Sequence, residues 1–169
     1  MGIRLTYRSL LLVLMLLLVG VVAAHAAPDA RTVTVKLRLS NALGVSILVD
    51  SAGLPLYHDL HEKKGKIHCV GACAEDWVPL LVTRRTKLVA GPGVKASELG
   101  MVKRPNGDEQ VTYNGLALYQ FSGDTIAGQV NGQGAHGVWF AITAAGVITT
   151  AGTAGPGATG DGEAPGYGY

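Results

Sequence analysis

The sequence predicts an all-β fold, with two pseudo-symmetric repeats of short antiparallel strands and long loops in a small sandwich-like or barrel-like domain. Three observations predict this class. Polar and apolar residues alternate strictly over residues 31–39, which is typical of a strand with one buried face. Asn-Gly dipeptides at residues 106–107 and 114–115 are typical of tight hairpin turns. Finally, one segment of the chain occurs twice, which indicates an internal repeat.

The repeat is defined by a five-residue segment and a tryptophan that follows it. The first copy is Gly-Leu-Pro-Leu-Tyr at residues 53–57, and the second copy is Gly-Leu-Ala-Leu-Tyr at residues 115–119. Trp77 follows the first copy and Trp139 follows the second. Both correspondences have the same offset of 62 positions (115 − 53 and 139 − 77). We therefore interpret the chain as the product of an internal duplication.

Residues 1–26 have the three-part pattern of a secretory signal peptide. Arg4 and Arg8 precede an almost wholly apolar run at residues 10–24, and Ala24-His25-Ala26 then offers small residues for cleavage. The apolar run is shorter than the roughly 20 residues that span a membrane. We therefore expect a secreted or periplasmic protein, cleaved after the first or the second of these alanines. An uncleaved N-terminal anchor is the alternative.

We expect two regions after the signal peptide. Residues 30–150 form a single β domain, whose repeats span about residues 45–82 and about residues 106–146. Residues 151–169 consist mainly of glycine and alanine. Because such a segment buries little apolar surface, we predict a disordered tail there.

The charge of the exported chain is balanced. Removing Arg4 and Arg8 from the 14 basic residues leaves 12, which equals the 12 acidic residues. A neutral chain does not favour nucleic acid or a polybasic membrane attachment as its partner. No membrane span is expected once the signal peptide has been removed.

The strands of the first half follow from alternation and from turn residues. Residues 31–39 and 45–49 form the first two strands, with a turn between them. Residues 54–57 are extended next, at an edge position, because Pro55 has no N–H group to donate. Residues 77–82 are apolar and are predicted to belong to the core.

The second half repeats this arrangement after a connector. The connector spans residues 83–100 and is predicted to contain one helical turn near its end. The strands predicted for the second half are residues 110–113, 116–121, 138–142 and 147–149. The glycine-rich segment at residues 122–137 takes the place of the polar segment that follows the first copy. The two copies therefore diverge most in an equivalent loop. Such divergence is typical of a functional loop, and sequence drift is the alternative.

The polar segment at residues 58–68 is charged and has no periodicity, which is typical of a solvated loop. An alternative is a metal site, because imidazole and thiolate groups that suit zinc or copper occur within a short span. The five candidate ligands are His58, His61, His68, Cys69 and Cys73. Their spacing matches no standard zinc finger or ribbon.

Cys69 and Cys73 are the two cysteines of the chain. An even count in an exported protein favours a disulfide. The separation of four residues permits a bridge only if the backbone bends, and Gly71 makes such a bend easier. A thiol pair for metal binding or redox exchange is the alternative, although the spacing is not Cys-x-x-Cys.

Two further residue types recur at the repeat offset. Tyr57 corresponds to Tyr119, and Glu62 corresponds to Asp124. Because both residue types recur, we expect them to have structural roles. The carboxylates should accept hydrogen bonds from turn amides, and the tyrosine rings should pack with each hydroxyl hydrogen-bonded to a neighbouring group. A weaker alternative is that Asp59, Glu62 and Asp124 supply paired carboxylates for hydrolysis. Because no catalytic sequence motif is present, no catalytic residue is predicted.

Several motifs resemble a known family. Residues 119–124, Tyr-Gln-Phe-Ser-Gly-Asp, resemble the Tyr-x-(Phe/Trp/Tyr)-x-x-Asp motif of bacterial secreted-repeat proteins of unknown function, a predicted lipoprotein family. Residues 69–80 resemble the Cys-x-Gly-x-Cys-Ala-x-x-Trp-x-Pro-Leu segment of the same family. Residues 104–107 and 110–115 resemble the lead-in to its second copy. The resemblance extends over about residues 45–146.

The chain departs from the family pattern at two points. Asp59 occupies the position at which the second copy has the aromatic Phe121, and no lipobox cysteine is present at the cleavage site. The resemblance therefore implies secretion and internal repeats, with structural roles for the repeated motif residues. It does not imply a lipid anchor or a known reaction.

Two functions from different classes are consistent with the sequence. The first is an exported, non-catalytic repeat protein that serves as a binding or structural module of the cell envelope, without a cofactor. An envelope protein is one partner that such a module would have. The alternative is a metal-binding (copper or zinc), redox or electron-transfer protein that uses the His/Cys segment at residues 58–73.

Overall fold

The computed structural model describes residues 31–146. The predicted signal peptide, the strand predicted at residues 147–149 and the predicted tail lie outside the described residues. The strands are β1 (Thr32–Ser40), β2 (Val45–Val49), β3 (Tyr57–Asp59), β4 (Trp77–Pro79), β5 (Leu81–Val82), β6 (Lys87–Ala90), β7 (Leu99–Lys103), β8 (Glu109–Tyr113), β9 (Leu116–Ala117), β10 (Tyr119–Phe121) and β11 (Trp139–Ala141). In addition there are one short α-helix, α1 (Cys73–Asp76), and two 3-10 helices (Ala96–Glu98 and Ala135–Gly137). The all-β prediction is confirmed.

The strands form three separate sheets rather than one continuous sheet. Their orders are β2-β1-β6, β11-β3-β10-β4 and β5-β8-β7, and β9 also pairs with β8. All the strand pairs are antiparallel except that of β1 with β6. The parallel strand β6 lies inside the predicted connector, where alternation is too short to predict it. The 3-10 helix at Ala96–Glu98 matches the helical turn that was expected there.

The central sheet exchanges strands between the two sequence copies. Strand β3 of the first copy pairs with β11 of the second, and β10 of the second pairs with β4 of the first. The registers are equivalent, because Tyr57 is opposite Ala141 and Tyr119 is opposite Pro79. Strands β3 and β10 meet where Tyr57 is opposite Tyr119. The chain is therefore interlocked about this tyrosine pair.

Backbone hydrogen bonds beside the central sheet repeat the same exchange. The N–H of Ile142 donates to the carbonyl oxygen of Leu56 at 3.2 Å, and the N–H of Leu80 donates to that of Leu118 at 3.0 Å. These two bonds are equivalent at the offset of 62 residues, because 142 − 80 and 118 − 56 are both 62. Since each copy completes the other, we infer that the two copies fold as one cooperative unit.

The alternation in the repeated segment separates two apolar cores. Leu56 and Leu118 contribute to one core, whereas Tyr57 and Tyr119 contribute to the other. The tyrosine core contains Leu43, Ile47, Val49, Tyr57, Cys69, Trp77, Ala117, Tyr119, Val130, Trp139 and Ala141. The leucine core contains Val35, Leu48, Leu56, Val82, Val111, Tyr113, Leu118 and Ile142. Burial of these apolar side chains is the main favourable contribution to folding.

The two tryptophans stack at the centre of the tyrosine core. The ring centroids of Trp77 and Trp139 are 3.9 Å apart, and the ring planes differ by 4°. Each tryptophan also makes an edge contact with the tyrosine of its own copy. The centroid distances are 5.6 Å for Tyr57 with Trp77 and 5.2 Å for Tyr119 with Trp139. Such aromatic pairs add stability beyond the burial of their area.

Both predicted Asn-Gly turns connect paired strands. Asn114 and Gly115 have φ values of 50° and 77°, as a type I′ turn requires, and they join β8 to β9. The turn that contains Gly107 joins β7 to β8, and the N–H of Arg104 donates to the carbonyl oxygen of Asp108 at 2.8 Å. The hairpin prediction is therefore confirmed at both places.

The stacked indoles allow a spectroscopic test of the interlocked core. We expect an exciton couplet in the circular dichroism spectrum, because the transition dipoles of two stacked indoles couple. Trp77→Phe and Trp139→Phe should each abolish the couplet completely and destabilise the domain by about 1–3 kcal/mol. Phe140→Leu is the control, because it changes a buried aromatic residue but leaves both indoles in place. A couplet that survives either tryptophan substitution would contradict the stacked geometry.

Candidate functional site

The first loop, residues 60–73, follows β3 and is held closed by a buried carboxylate. Glu62 is only 4 % exposed. Its Oε1 atom accepts the N–H of His68 at 2.7 Å and the N–H of Cys69 at 3.1 Å. The side chain thus satisfies two turn amides, as the sequence indicated for this acid. These bonds bring the two ends of the polar segment together.

The second loop, residues 122–137, has the same closure. The Oδ1 atom of Asp124 accepts the N–H of Asn131 at 2.8 Å, and Asp124 is 4 % exposed. Asn131 and Cys69 each lie seven positions after the acid that binds them (131 − 124 and 69 − 62). The same local geometry is therefore built from aspartate in one loop and glutamate in the other.

Each loop acid also binds a tyrosine of the other copy. The hydroxyl of Tyr57 donates to Oδ2 of Asp124 at 2.6 Å, and the hydroxyl of Tyr119 donates to Oε1 of Glu62 at 2.7 Å. Both tyrosines are fully buried. Hydrogen bonds to ionised acceptors are stronger than those between neutral groups. The two reciprocal bonds therefore connect the loops through the core, between the copies.

Burial keeps both tyrosine hydroxyls protonated. It raises the pKa of Tyr57 far above the ordinary value of 10.0, and the hydrogen bond to Asp124 raises it further. Burial also raises the pKa of Tyr119, and the nearby negative charge of Glu62 adds to this effect. The hydroxyls therefore act as donors across the physiological range and do not act as bases.

The first loop covers a buried polar group that the second loop does not have. The Nδ1 atom of His58 donates to the carbonyl oxygen of Ala117 at 3.0 Å, and His58 is 1 % exposed. The same nitrogen is 4.0 Å from Oε2 of Glu62, which has no hydrogen-bond partner. At the equivalent position, Gln120 instead donates to Oδ2 of Asp50 at 2.8 Å.

Arg104 and Gln110 complete this buried polar group. Arg104 is 6 % exposed, and it donates to Oε1 of Gln110 and, at 2.7 Å, to the carbonyl oxygen of Cys69. Gln110 donates in turn to the carbonyl oxygen of Leu118 at 2.8 Å. Sequence reasoning assigned no role to either side chain. One sequence feature could have indicated Gln110: it is a polar residue at the start of a predicted strand, directly before the apolar Val111. In the structure this end of the strand is buried.

Cys69 and Cys73 form a disulfide, with their Cα atoms 5.2 Å apart. The disulfide prediction is therefore confirmed. No free cysteine remains among the described residues. The metal alternative needed these two side chains as thiolates, so a site with all five proposed ligands is incompatible with the structure.

The three histidines of the metal hypothesis are not brought together by the fold. His58 is buried beneath the loop, whereas the side chain of His61 is 56 % exposed and lies 3.4 Å from Oδ1 of Asp59. His68 is also exposed. Within residues 31–146, no three His, Cys, Asp or Glu side chains form a group that could hold a metal ion.

The departure of the first copy from the aromatic motif has a local consequence. Phe121 packs on Trp77, with the ring centroids 4.7 Å apart. At the equivalent position of the first copy, Oδ1 of Asp59 accepts the N–H of His61 at 2.9 Å. The first loop thus begins with a polar turn where the second copy has an aromatic contact.

A shallow depression lies between the β1–β2 hairpin and the second loop. Leu39, Ile47, Gln129 and Val130 are among its lining residues. It holds about 210 Å³ of empty space, open solvent included. None of the histidines, cysteines or acids considered above lines it. It therefore offers no candidate catalytic group.

Comparison with known proteins supports the resemblance seen in the sequence. Residues 100–143 match a family model that is described as a secreted repeat of unknown function. The matched segment runs from β7 to β11 and contains the whole second loop. No curated protein and no solved structure matches the chain. In residues 31–146 no helix is long and apolar enough to cross a membrane.

The reciprocal tyrosine bonds predict paired losses of stability. Tyr57→Phe should lower the free energy of unfolding by about 2 kcal/mol, because it leaves Oδ2 of Asp124 without its donor. Tyr119→Phe should lower it by about 1–2 kcal/mol, because it removes one of the three donors to Oε1 of Glu62. Tyr113→Phe is the matched control, because its hydroxyl donates to the backbone oxygen of Ala144 at 3.1 Å and binds no charged group. Urea unfolding measures all three. A loss in the control as large as in the other two variants would contradict this assignment.

The raised tyrosine pKa values predict a loss of stability at alkaline pH. In the unfolded chain Tyr57 and Tyr119 ionise near pH 10, whereas in the folded domain they stay neutral. Their contribution to stability is therefore complete below about pH 10 and falls above it, by about 1.4 kcal/mol per pH unit for each tyrosine. Urea unfolding between pH 9 and pH 11 (roughly the range around the unfolded pKa) measures this slope. Tyr57 and Tyr119 contribute equally to this slope, so Tyr119→Phe should remove about half of their joint contribution. An unchanged slope in this variant would contradict the prediction.

The disulfide predicts a modest and local effect. Replacing both Cys69 and Cys73 by alanine should lower the free energy of unfolding by about 2 kcal/mol, because the closed loop is short. Thiol titration of native and unfolded protein should detect no free thiol. Ala135→Gly, at the position in the second loop that corresponds to Cys73, is a control for changes in loop backbone freedom. Two titratable thiols in the native protein would contradict the bridge.

Proposed function

We propose that the chain is an exported, non-catalytic module of the cell envelope, which binds its partner through loops that are held on a rigid double-repeat frame. Residues 1–26 act as the signal peptide in this proposal. The observation that carries it is the reciprocal pair of tyrosine–carboxylate hydrogen bonds. Because these groups hold the frame together, they are not available for chemistry on a substrate.

The side chains that recur in both copies have interior roles. Glu62 and Asp124 each accept a turn amide and a tyrosine hydroxyl. The two tryptophans stack on each other in the core. An enzyme would require some of these groups to face a substrate in a cleft. Their complete burial supports a structural role instead.

The side chains that differ between the copies lie on the loops. The first loop carries the disulfide and a run of lysines, whereas the second loop carries glycines and Ile126, which is 66 % exposed. Rigid frames that present divergent loops are common in binding proteins. The divergence therefore supports recognition by one loop or by both. The description of the family as secreted supports an envelope location for this recognition.

Binding to isolated cell envelopes tests the proposal. The exported protein is purified, its N-terminus is sequenced, and its saturable binding to envelopes of the source organism is measured. Two exchange variants locate the binding loop. In one, residues 63–64 carry the sequence of residues 125–126, and in the other the exchange is reversed. At least one exchange should abolish binding, while the stability changes by less than about 1 kcal/mol because these are mostly surface positions.

Val111→Ala is the matched control for this experiment, because it weakens the leucine core but changes no loop residue and no bond that closes a loop. It should lower stability and leave the envelope affinity of the folded protein unchanged. Absence of saturable binding, or binding that neither exchange affects, would overturn the proposed binding role. An intact Met1 on protein recovered from the cytoplasm would overturn export.

A further inference from the structure

We infer that the first loop docks the exported domain onto an anionic membrane surface. This inference rests on the proposed function, for which it names the partner. The neutrality of the exported chain argued against such a partner, but the fold separates charges that are mixed in the sequence. The docking surface consists of three lysines between two exposed aliphatic side chains, at Leu60, Lys63, Lys64, Lys66 and Val70.

The fold turns the acids of this segment inward and leaves its lysines outside. Asp59 and Glu62 are 7 % and 4 % exposed, and their carboxylates bind backbone amides. Lys63, Lys64 and Lys66 are all exposed. The solvent-facing part of the segment therefore carries three positive charges and no negative charge. Each lysine near an anionic bilayer contributes to attraction.

The neighbouring exposed groups do not cancel this charge within the segment. His61 and His68 are exposed, and neither carries a negative charge. The next solvent-facing acids along the chain are Glu75 and Asp76, which follow the disulfide on α1. The cationic surface is therefore confined to residues 61–68.

The structure holds this cationic segment in one shape. The N–H of Lys66 donates to the carbonyl oxygen of Lys63 at 2.9 Å in a tight turn. Glu62 accepts the N–H groups of His68 and Cys69. The disulfide anchors the end of the segment. Because the loop is already ordered, binding costs less conformational entropy than binding by a disordered basic tail.

Two aliphatic side chains distinguish a membrane from a soluble polyanion as the partner. Leu60 and Val70 are 49 % and 46 % exposed, and neither belongs to the side chains that pack in the two cores. They flank the lysine segment at its two ends. A soluble polyanion would need only the lysines, whereas a bilayer also accepts the apolar groups below its headgroups. The combination therefore favours a lipid surface.

The second loop shows that the shared frame does not require these lysines. The positions that correspond to Lys63, Lys64 and Lys66 hold Thr125, Ile126 and Gly128. The loop acid Asp124 is buried there as well, so the same closure exists without any cation. Closure of the loop therefore does not depend on the three lysines. Lys64 donates to Oδ1 of Asn114 at 3.1 Å, and because this partner is neutral the positive charge is not cancelled.

Vesicle sedimentation tests the inference with full exported protein. The probe is equimolar phosphatidylglycerol and phosphatidylcholine, and pure phosphatidylcholine is the neutral reference. We expect the protein to bind the anionic vesicles and not the neutral ones. Salt at 1 M should weaken this binding, because it shortens the Debye length to roughly 3 Å. Lys63→Gln, Lys64→Gln and Lys66→Gln combined should reduce the affinity about 100-fold, or about fivefold for each lysine. Near-ultraviolet circular dichroism confirms that each variant is folded.

A charge-matched variant distinguishes this surface from general attraction. Arg84→Gln, Arg85→Gln and Lys87→Gln combined remove the same charge from exposed positions elsewhere. This control should bind anionic vesicles almost as tightly as the unchanged protein. An equal loss in both triple variants would overturn the assignment to the first loop.

Two further outcomes would overturn the membrane partner. Leu60→Ser with Val70→Ser should reduce vesicle affinity at least about tenfold, because each removes exposed apolar area from the bilayer. Unchanged affinity in this variant, with displacement of the protein by soluble polyphosphate, would identify a soluble polyanion instead. Absence of vesicle binding, with saturable envelope binding retained, would overturn the lipid partner and leave the proposed envelope function intact.

Discussion

The structure depends on two hydrogen bonds that each join a tyrosine of one copy to an acid of the other. Tyr57 binds Asp124 and Tyr119 binds Glu62, and all four side chains are buried. A buried carboxylate is stable only when donors compensate for its lost hydration. Each acid obtains these donors from a tyrosine and from turn amides of its own loop. Loop closure and core assembly are therefore a single event.

The exchange of strands has the same origin. The repeated Leu-Tyr alternation places tyrosines on one side of the central sheet and leucines on the other, so each copy supplies half of two cores. One copy alone would leave both halves exposed to water. Pairing of β3 with β11 and of β10 with β4 covers them. The duplication thus produces stability rather than two independent modules.

The loops are free to differ because the frame fixes only a few of their residues. Both loops close on an acid that binds an amide seven residues later. Between these points Ile67 and Val130 pack on the tyrosine core, and most of the other residues are exposed. The first loop uses this freedom for the disulfide and the lysines, and the second for glycines and Ile126. A purely structural repeat would not require its two loops to differ. The difference between these two equivalent loops therefore favours a role in recognition.

The sequence by itself determined the all-β class, the repeat offset, the hairpin turns and the disulfide, because these depend on local alternation, local turn chemistry and cysteine count. It also indicated that the repeated tyrosines and acids have structural partners. Only the tertiary structure decided which tyrosine binds which acid, and that Arg104 and His58 lie beneath the first loop. It likewise separated inward acids from outward lysines in a nearly neutral chain. Such pairings join residues that are distant in sequence, and no local pattern specifies them.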